Sequence, residues 1–341
     1  MQFKVLLTCV GGELAPQIIN YLKNSKLHKV NVIGVDMSSE AIGQYFCDEF
    51  IQVPAGDEQG YIDRILETIN KYGVQLIIPG SDKEALILAK NRNELTLQGT
   101  SVACSDYEVL KIFTSKIQMM ESLESGEFNI PIWRPVYTLE DLYETIEIFE
   151  SKNKECVIKP DKGTGGRGVY VIGFNDQQKN IILGREKHYS YKTFKESVSE
   201  YESYLPSLIM ENFQEPVYDI DLLSWMGRPL RTVVRKRRVS SMPNMGHKVL
   251  LDNELMKLGE HLIKNYKMSW LHDADVMLDD QGKPYVIEIN PRMSGSASVS
   301  IAAGIPLMDD LISLAKGDDI DSKIRPVETE VIMHSALRRI N

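Results

Sequence analysis

Cysteine is scarce in this sequence and does not cluster. Cys9, Cys47, Cys104 and Cys156 lie far apart, none of them in a C-x-x-C pair or at ligand spacing from a histidine. That excludes a disulfide scaffold and speaks against a zinc site. Reduced thiols of this kind fit a cytoplasmic protein. Long apolar runs are missing as well: nothing approaches the roughly 18 residues that a membrane span requires. The first apolar stretch, Val5 to Val10, is too short for a secretory core and has no basic flank. An excess of positive charge is also absent. Lys+Arg 39 against Asp+Glu 48 leaves −9, and sequence-independent binding to nucleic acid needs a basic footprint. With no repeat and only 23 glycines and 14 prolines, a fibrous or low-complexity chain is excluded too. What remains is an ordinary globular composition, 43% hydrophobic and 26% charged over 341 residues. That length suits about two domains with a real core.

Up to about residue 105, short β-branched runs alternate with helical segments. Phe3–Val10, Val30–Val35, Phe50–Val53, Leu76–Pro79 and Val102–Cys104 read as buried strands. Ala15–Leu22, Tyr61–Tyr72 and Lys83–Asn91 have helical spacing. The alternation predicts a doubly wound parallel sheet with helices on both faces. Ser105 and Glu108 form an S-x-x-E box, expected to start a helix that carries Lys116. Beyond the loop between Glu124 and Pro135 the pattern becomes α+β. Strands and hairpins dominate, with helices near Leu139–Glu150, Glu254–Asn265 and Leu307–Ala315. The Lys-, Ser- and Tyr-rich tract Asp176–Tyr204 reads as a solvated helical or irregular insertion.

Gly11-Gly12-Glu13 after the first strand, with Asp36 closing the second, invites a dinucleotide reading. The spaced triplet G-x-G-x-x-G is absent, so a plain tight turn serves as well. The run from Val157 to Val169, VIKPDKGTGGRGV, is more informative. A strand ending in Lys159 leads into Gly163, Gly165, Gly166 and Gly168, followed by another strand. This is not a Walker A loop, because no G-K-[ST] and no helix come after it. Glycine N–H groups at a hairpin tip can approach phosphate oxygens closely, although an unliganded flexible tip would look the same.

The segment from His272 to Arg292 is the sharpest. If Gln281-Gly282 is a two-residue turn, paired positions sum to 563, which sets Asp275 opposite Glu288 and Asp273 opposite Asn290. One face then carries Asp273, Asp275, Met277, Val286, Glu288 and Asn290. The other carries Ala274, Val276, Leu278, Tyr285, Ile287 and Ile289, so burial specifies the register. Carboxylates directly across a hairpin repel. A hard divalent cation held by carboxylates and a substrate's phosphates would offset that, as would nearby arginines or solvent. Upstream, Leu208–Met210 reads as a short strand ending in Glu211-Asn212-Phe213. Another runs from Tyr218 to Ser224 with Asp219 and Asp221 on one face. On the next strand Arg231, Arg235 and Arg237 share a face, either an anion site or a charged edge strand. No Ser-His-Asp or Cys-His set stands out, and Cys9, Cys156 and His247 make weak nucleophile candidates.

In this order, Lys116, Val157–Pro160, the Gly163–Gly168 loop, Met210–Phe213, Asp275 and Ile287–Arg292 resemble the ATP-grasp superfamily. More narrowly, the chain resembles single-unit relatives of the carbamoyl-phosphate synthase large subunit. The strand Asp275–Leu278 and its spacing to Glu288 also resemble D-alanine–D-alanine ligase. The resemblance covers nearly the whole chain, including Gly34–Asp36, Ala41–Gly43 and Ile78–Asp82.

That resemblance implies a pre-ATP-grasp α/β domain over 1–114, a lid subdomain over 115–205 and a metal- and nucleotide-binding subdomain over 206–341. It implies ATP between two sheets, with Lys116 and Lys159 on phosphates, the Gly163–Gly168 loop closing over them, and Glu211, Asn212 and Phe213 at the adenine. Asp275, Glu288 and Asn290 would hold Mg²⁺ or Mn²⁺, while Arg292, Arg235 and Arg237 would brace the transferred phosphoryl group or an acyl phosphate. Two positions depart from the family pattern: Ser115 stands where relatives have Asp, and Val217 where they have a ribose-binding Glu. Asp219 or Asp221 is the candidate replacement. The implied activity is an ADP-forming ligase that activates a carboxylate as an acyl phosphate and couples it to an amine. The alternatives are bicarbonate or carbamate phosphorylation, and nucleotide binding without ligation. A homodimer without nucleic acid or membrane is the implied setting.

Overall fold

The computed structural model describes residues 2–163, 168–173, 181–183, 186–334 and 339. Its first region is a five-stranded sheet of β1 (Phe3–Thr8), β2 (Val30–Asp36), β3 (Glu49–Gln52), β4 (Leu76–Ile78) and β5 (Ser101–Val102). The order is β3-β2-β1-β4-β5 and every pairing is parallel. Consecutive residues of β1 point to opposite faces, so both faces need cover. Val5 and Leu7 pack with Ile18, Ile19 and Leu22 of α1 (Ala15–Lys23). Leu6 packs on the other side with Ile65 and Ile69 of α2 (Tyr61–Tyr72) and Leu88 of α3 (Asp82–Lys90). Each such fully buried side chain contributes about 1.5–3 kcal/mol. The expected doubly wound sheet is present.

After α4 (Arg92–Thr96), two helices stand where one was expected: α5 (Tyr107–Phe113) and α6 (Lys116–Ser125). Ser105 does not cap α5; its hydroxyl meets His272 and the Ser269 carbonyl instead. Ser115 caps α6 by accepting from the Gln118 N–H, which makes Lys116 the first residue of that helix.

The second sheet has the order β6-β11-β7-β8-β10-β9. Its strands are β6 (Trp133–Val136), β7 (Cys156–Pro160), β8 (Tyr170–Gly173), β9 (Ile181–Leu183), β10 (Glu186–Ser190) and β11 (Ser207–Glu211), backed by α7 (Leu139–Ser151) and α8 (Tyr191–Ser197). β11 therefore belongs to this sheet, not to the subdomain that was expected to begin at 206. The described part of the tract 176–204 is no solvated insertion either. Tyr191, Phe194 and Tyr201 are buried against Tyr170 and Ile146, because these aromatics form the apolar cover of the sheet.

The third sheet has the order β16-β15-β12-β13-β14-β17. It comprises β12 (Val217–Trp225), β13 (Arg228–Arg237), β14 (His247–Leu250), β15 (Trp270–Leu278), β16 (Pro284–Asn290) and β17 (Thr329–Val331), with α9 (Asn253–Asn265), α10 (Ser298–Ala302) and α11 (Leu307–Lys316). Gly259 lets α9 lie close on the sheet, since a Cβ there would come within 2.7 Å of Leu222 Cδ2. α11 shares a core with α1 and β1, which docks this region onto the first. No helix among the described residues is long and apolar enough to cross a membrane.

Candidate functional site

The β15–β16 hairpin brings its acids together by two offsetting irregularities. The turn is not the two-residue one expected. Asp279 Oδ1 accepts from the N–H of Gln281 and of Lys283, each at 2.9 Å, and Gly282 adopts φ +81°. A left-handed residue there makes a three-residue loop and shifts the register by one, pairing Leu278 with Pro284 and Val276 with Val286. A bulge at Ile287 then restores the register, so Asp275 faces Glu288 and Asp273 faces Asn290. Between turn and bulge the residues of β16 exchange faces. Val286, expected beside the acids, is fully buried in the core, and Ile287 lines the cavity with Met277.

β12 adds two more acids directly across from β15: Asp219 opposite Asp275 and Asp221 opposite Asp273. Oxygens of Asp219, Asp273 and Asp275 lie within 4.8 Å of one another. Such a ladder of like charges needs cations, and the basic face of β13 supplies them. Arg237 Nη2 reaches Asp219 at 2.7 Å and Asp275 at 2.6 Å. Arg235 Nη2 reaches Asp221 at 2.8 Å and Asp273 at 3.2 Å, and its Nη1 donates to Ser296. Arg231 pairs with Asp310 of α11. Of the expected anion-binding arginines, then, Arg235 is enclosed beneath the site and cannot brace a phosphoryl group, whereas Arg237 lines the cavity.

Asp219 is not free for ribose. Arg237 grips both its oxygens, and His247 Nε2 lies 2.9 Å from Oδ2. Burial pushes the Asp219 carboxyl up, but the Arg237 guanidinium, the His247 hydrogen bond and the charge of Arg235 outweigh it and hold it below the usual range. Asp221 is equally committed, to Arg235 and Ser300. Burial raises Asp275 to about 6, with Arg237 opposing and the charges of Asp219 and Glu288 adding.

Glu288 is drawn to the start of α6 and to β7 of the second sheet. Its Oε1 is 3.4 Å from Lys116 Nζ and its Oε2 3.5 Å from Lys159 Nζ, and these lysines hold it at about 2 against the effect of burial. Lys116 also donates to the Gly163 carbonyl at 2.8 Å. The remaining expected donor, Asn290, gives its Nδ2 to Asp273 at 3.1 Å. Gly168, at φ +73°, lies under Tyr204 and Pro160, while Gly165 and Gly166 fall outside the described residues. At the far side of β11, Glu211 pairs with Lys154 and the Phe213 ring lies 4.7 Å from that of Tyr285. The N–H groups of Glu211 and Asn212 already donate to Ile132 and Glu155.

One cavity of about 800 Å³ joins these groups, running from Glu211–Phe213 past Lys116, Lys159 and Gly163, between Asp275 and Glu288, to Arg292 and Ser294–Ser296. The donor set is all oxygen, and Asp275 Oδ1 is buried without a hydrogen-bond partner. That suits a hard divalent cation. Asp275, Glu288 and Asn290 could hold it beside a polyphosphate taken by the two lysines. Burial raises the thiols of Cys9, Cys47 and Cys156 to about 12, which disqualifies them as nucleophiles. Two residues take places the sequence did not suggest: His247, weighed there only as a weak nucleophile, lies behind Asp219, and Asp82 of the Gly80-Ser81-Asp82 stretch lies beside Arg292.

A parallel α/β domain followed by two sheets that enclose a lysine- and carboxylate-lined cavity defines an ATP-grasp fold. Two family models match, each over less than half of the chain. Residues 204–337 match the family described as ATP-grasp in the biosynthetic pathway with Ter operon, and residues 5–103 match the PylC-like N-terminal domain. Among curated proteins no sequence matches the chain. Solved structures share the fold at low identity. The N5-carboxyaminoimidazole synthetase of Staphylococcus aureus complexed with ADP is 15% identical, with TM-score 0.70 over 97% of this chain and 81% of that one. The L-amino acid ligase of Bacillus licheniformis is 15% identical, with TM-score 0.69 over 96% and 78%. The biotin carboxylase domain dimer of the Hydrogenobacter thermophilus 2-oxoglutarate carboxylase, in complex with MgADP, ADP and bicarbonate, is 16% identical, with TM-score 0.67 over 94% and 71%.

Proposed function

We propose that this protein is an ADP-forming ligase that uses Mg-ATP to activate a carboxylate as an acyl phosphate and couples it to an amine. The observation that carries this reading is Glu288, facing Asp275 across the hairpin and held between Lys116 at the start of α6 and Lys159 of the second sheet. This is a resting site in which the chain's own cations occupy the places of a metal ion and of a polyphosphate's counter-charges. On binding, Lys116 and Lys159 turn to the phosphates and release Glu288. Asp275 Oδ1, Glu288 and Asn290 are the donors for Mg²⁺ or Mn²⁺, which when bound neutralises charge on the phosphates. Phe213 lines the adenine end, and Gly163, whose carbonyl accepts from Lys116, stands at the phosphate end. Arg237 and Arg292 face the transferred group, where positioning and charge neutralisation lower the barrier without a side-chain nucleophile. The cavity's position between two sheets limits the access of water to the acyl phosphate. The protein works on small molecules; a homodimer is proposed from the related carboxylase domain.

Purified protein with Mg-ATP, a panel of amino acids and other carboxylates, and hydroxylamine should release ADP and yield a hydroxamate. ADP release with bicarbonate alone would favour phosphorylation of bicarbonate or carbamate. Tight ATP binding with no turnover under any condition would reduce the protein to a nucleotide-binding module and overturn the proposal.

A further inference from the structure

The arginine at the Ser294–Ser296 end of the cavity is ion-paired with an acid of the N-terminal region. Arg292 leaves β16 and lines the cavity beside Ser294–Ser296. Its Nη1 donates to the Met293 carbonyl at 2.8 Å, and its Nε lies 3.0 Å from Oδ1 of Asp82. Among the described residues Asp82 is the only acid in ion-pair range of Arg292, and both side chains are about four-fifths buried.

Asp82 is the first residue of α3, where a carboxylate is favoured by the helix dipole. Its placement is over-determined by a polar network that the proposed chemistry does not use. The buried Glu84 accepts from Thr8 Oγ1 at 2.8 Å, Ser81 Oγ at 2.7 Å and Tyr61 OH at 3.2 Å. Thr8 in turn accepts from the Gly80 N–H at 3.0 Å. Gly80 packs so tightly on β1 that a Cβ there would stand 2.3 Å from the Thr8 carbonyl oxygen. The end of β1 and the start of α3 are thus locked together, and Asp82 projects from that lock onto Arg292.

We infer that Asp82 is a positioning residue: the N-terminal domain, through Asp82, sets the guanidinium of Arg292 for the transferred phosphoryl group. This rests on the ATP-dependent reading for its consequence, but not for the contact itself. The domain is then a working part of the site, and its docking decides whether Arg292 points into the cavity.

Two measurements test it. In the first, phenylglyoxal modification of Arg292 is followed by peptide mapping in the intact protein without nucleotide. Asp82→Asn should expose Arg292 to several-fold faster modification, and Asp82→Glu should restore protection. An unchanged rate in Asp82→Asn overturns the inference. In the second, orthovanadate with Mg-ADP mimics the phosphoryl group in transfer. Asp82→Asn should weaken inhibition by Mg-ADP with vanadate by about 10–100-fold, the effect of a small misplacement at a reacting centre, and leave affinity for Mg-ADP alone unchanged. In an Arg292→Lys background the same substitution should have no further effect on vanadate; additive losses would mark a general destabilisation and overturn the inference. If the wild-type protein shows no vanadate inhibition, the ATP-dependent reading fails with the second measurement, and the first alone decides whether Asp82 holds Arg292.

Discussion

Replacing Glu288 by glutamine separates a ligand role from a structural one, because the two predict opposite changes in nucleotide affinity. In the resting site Glu288 is the partner of Lys116 and Lys159, and they hold its carboxyl at about 2 against an ordinary 4.5. That difference corresponds to on the order of 3 kcal/mol. Since 26% of the Glu288 side chain is exposed, solvent screening reduces the share that appears as stability to about 1–2 kcal/mol. Glu288→Gln should therefore lower the urea midpoint modestly and keep a cooperative transition. It also leaves both lysines uncommitted and removes a negative charge facing the phosphates. ATP affinity measured calorimetrically in EDTA should consequently rise, by roughly tenfold if 1.4 kcal/mol of that repulsion is relieved. Turnover with Mg-ATP should nevertheless collapse, because the variant lacks the carboxylate proposed to hold the cation. Retention of more than about a tenth of kcat, a loss of under 1.4 kcal/mol in the barrier, would refute the metal role. So would a fall in ATP affinity in EDTA, since that would make Glu288 a scaffold for the lysines only.

Lys159→Met should cut ATP affinity by about tenfold or more, as expected from losing one charge-assisted phosphate contact, and leave stability close to wild type because Lys116 still faces Glu288; calorimetry and a urea titration check the two halves. Arg231→Ala removes one side of a buried pair with Asp310 that also holds the Ile324 and Asp321 carbonyls, and should cost about 3–5 kcal/mol in unfolding free energy by loosening α11. With the thiols of Cys9, Cys47 and Cys156 raised to about 12 and that of Cys104 raised by burial, the native protein should react slowly with Ellman's reagent at pH 8 and release all four equivalents on unfolding; a fast cysteine whose alkylation stops turnover would contradict this.

Local periodicity, and the chemistry carried by neighbouring residues, are what the sequence alone determined. Alternating β-branched and helical runs specified the parallel sheet, because a strand covered on both faces must be apolar throughout. The period of two put the acids of each hairpin strand on one face, whereas the expected pairing of Asp275 with Glu288 came out right only because a longer turn and a bulge offset each other. Only tertiary structure decided what those acids touch. The turn was three residues long instead of two, and a bulge at Ile287 corrected the slip; neither leaves a mark in the alternation, since both are selected by packing and by the Asp279 side chain. The shared face of Arg231, Arg235 and Arg237 was correctly placed, yet which arginine meets the cavity depended on Asp221 and Asp273 lying beneath Arg235 and on Asp219 beside Arg237. Lys116 and Lys159 meet Glu288, and Asp82 meets Arg292, across more than a hundred residues of chain. Such pairings arise because burial of apolar faces brings the sheets together first, and the charges left at the junction then find whichever partners the closed fold presents.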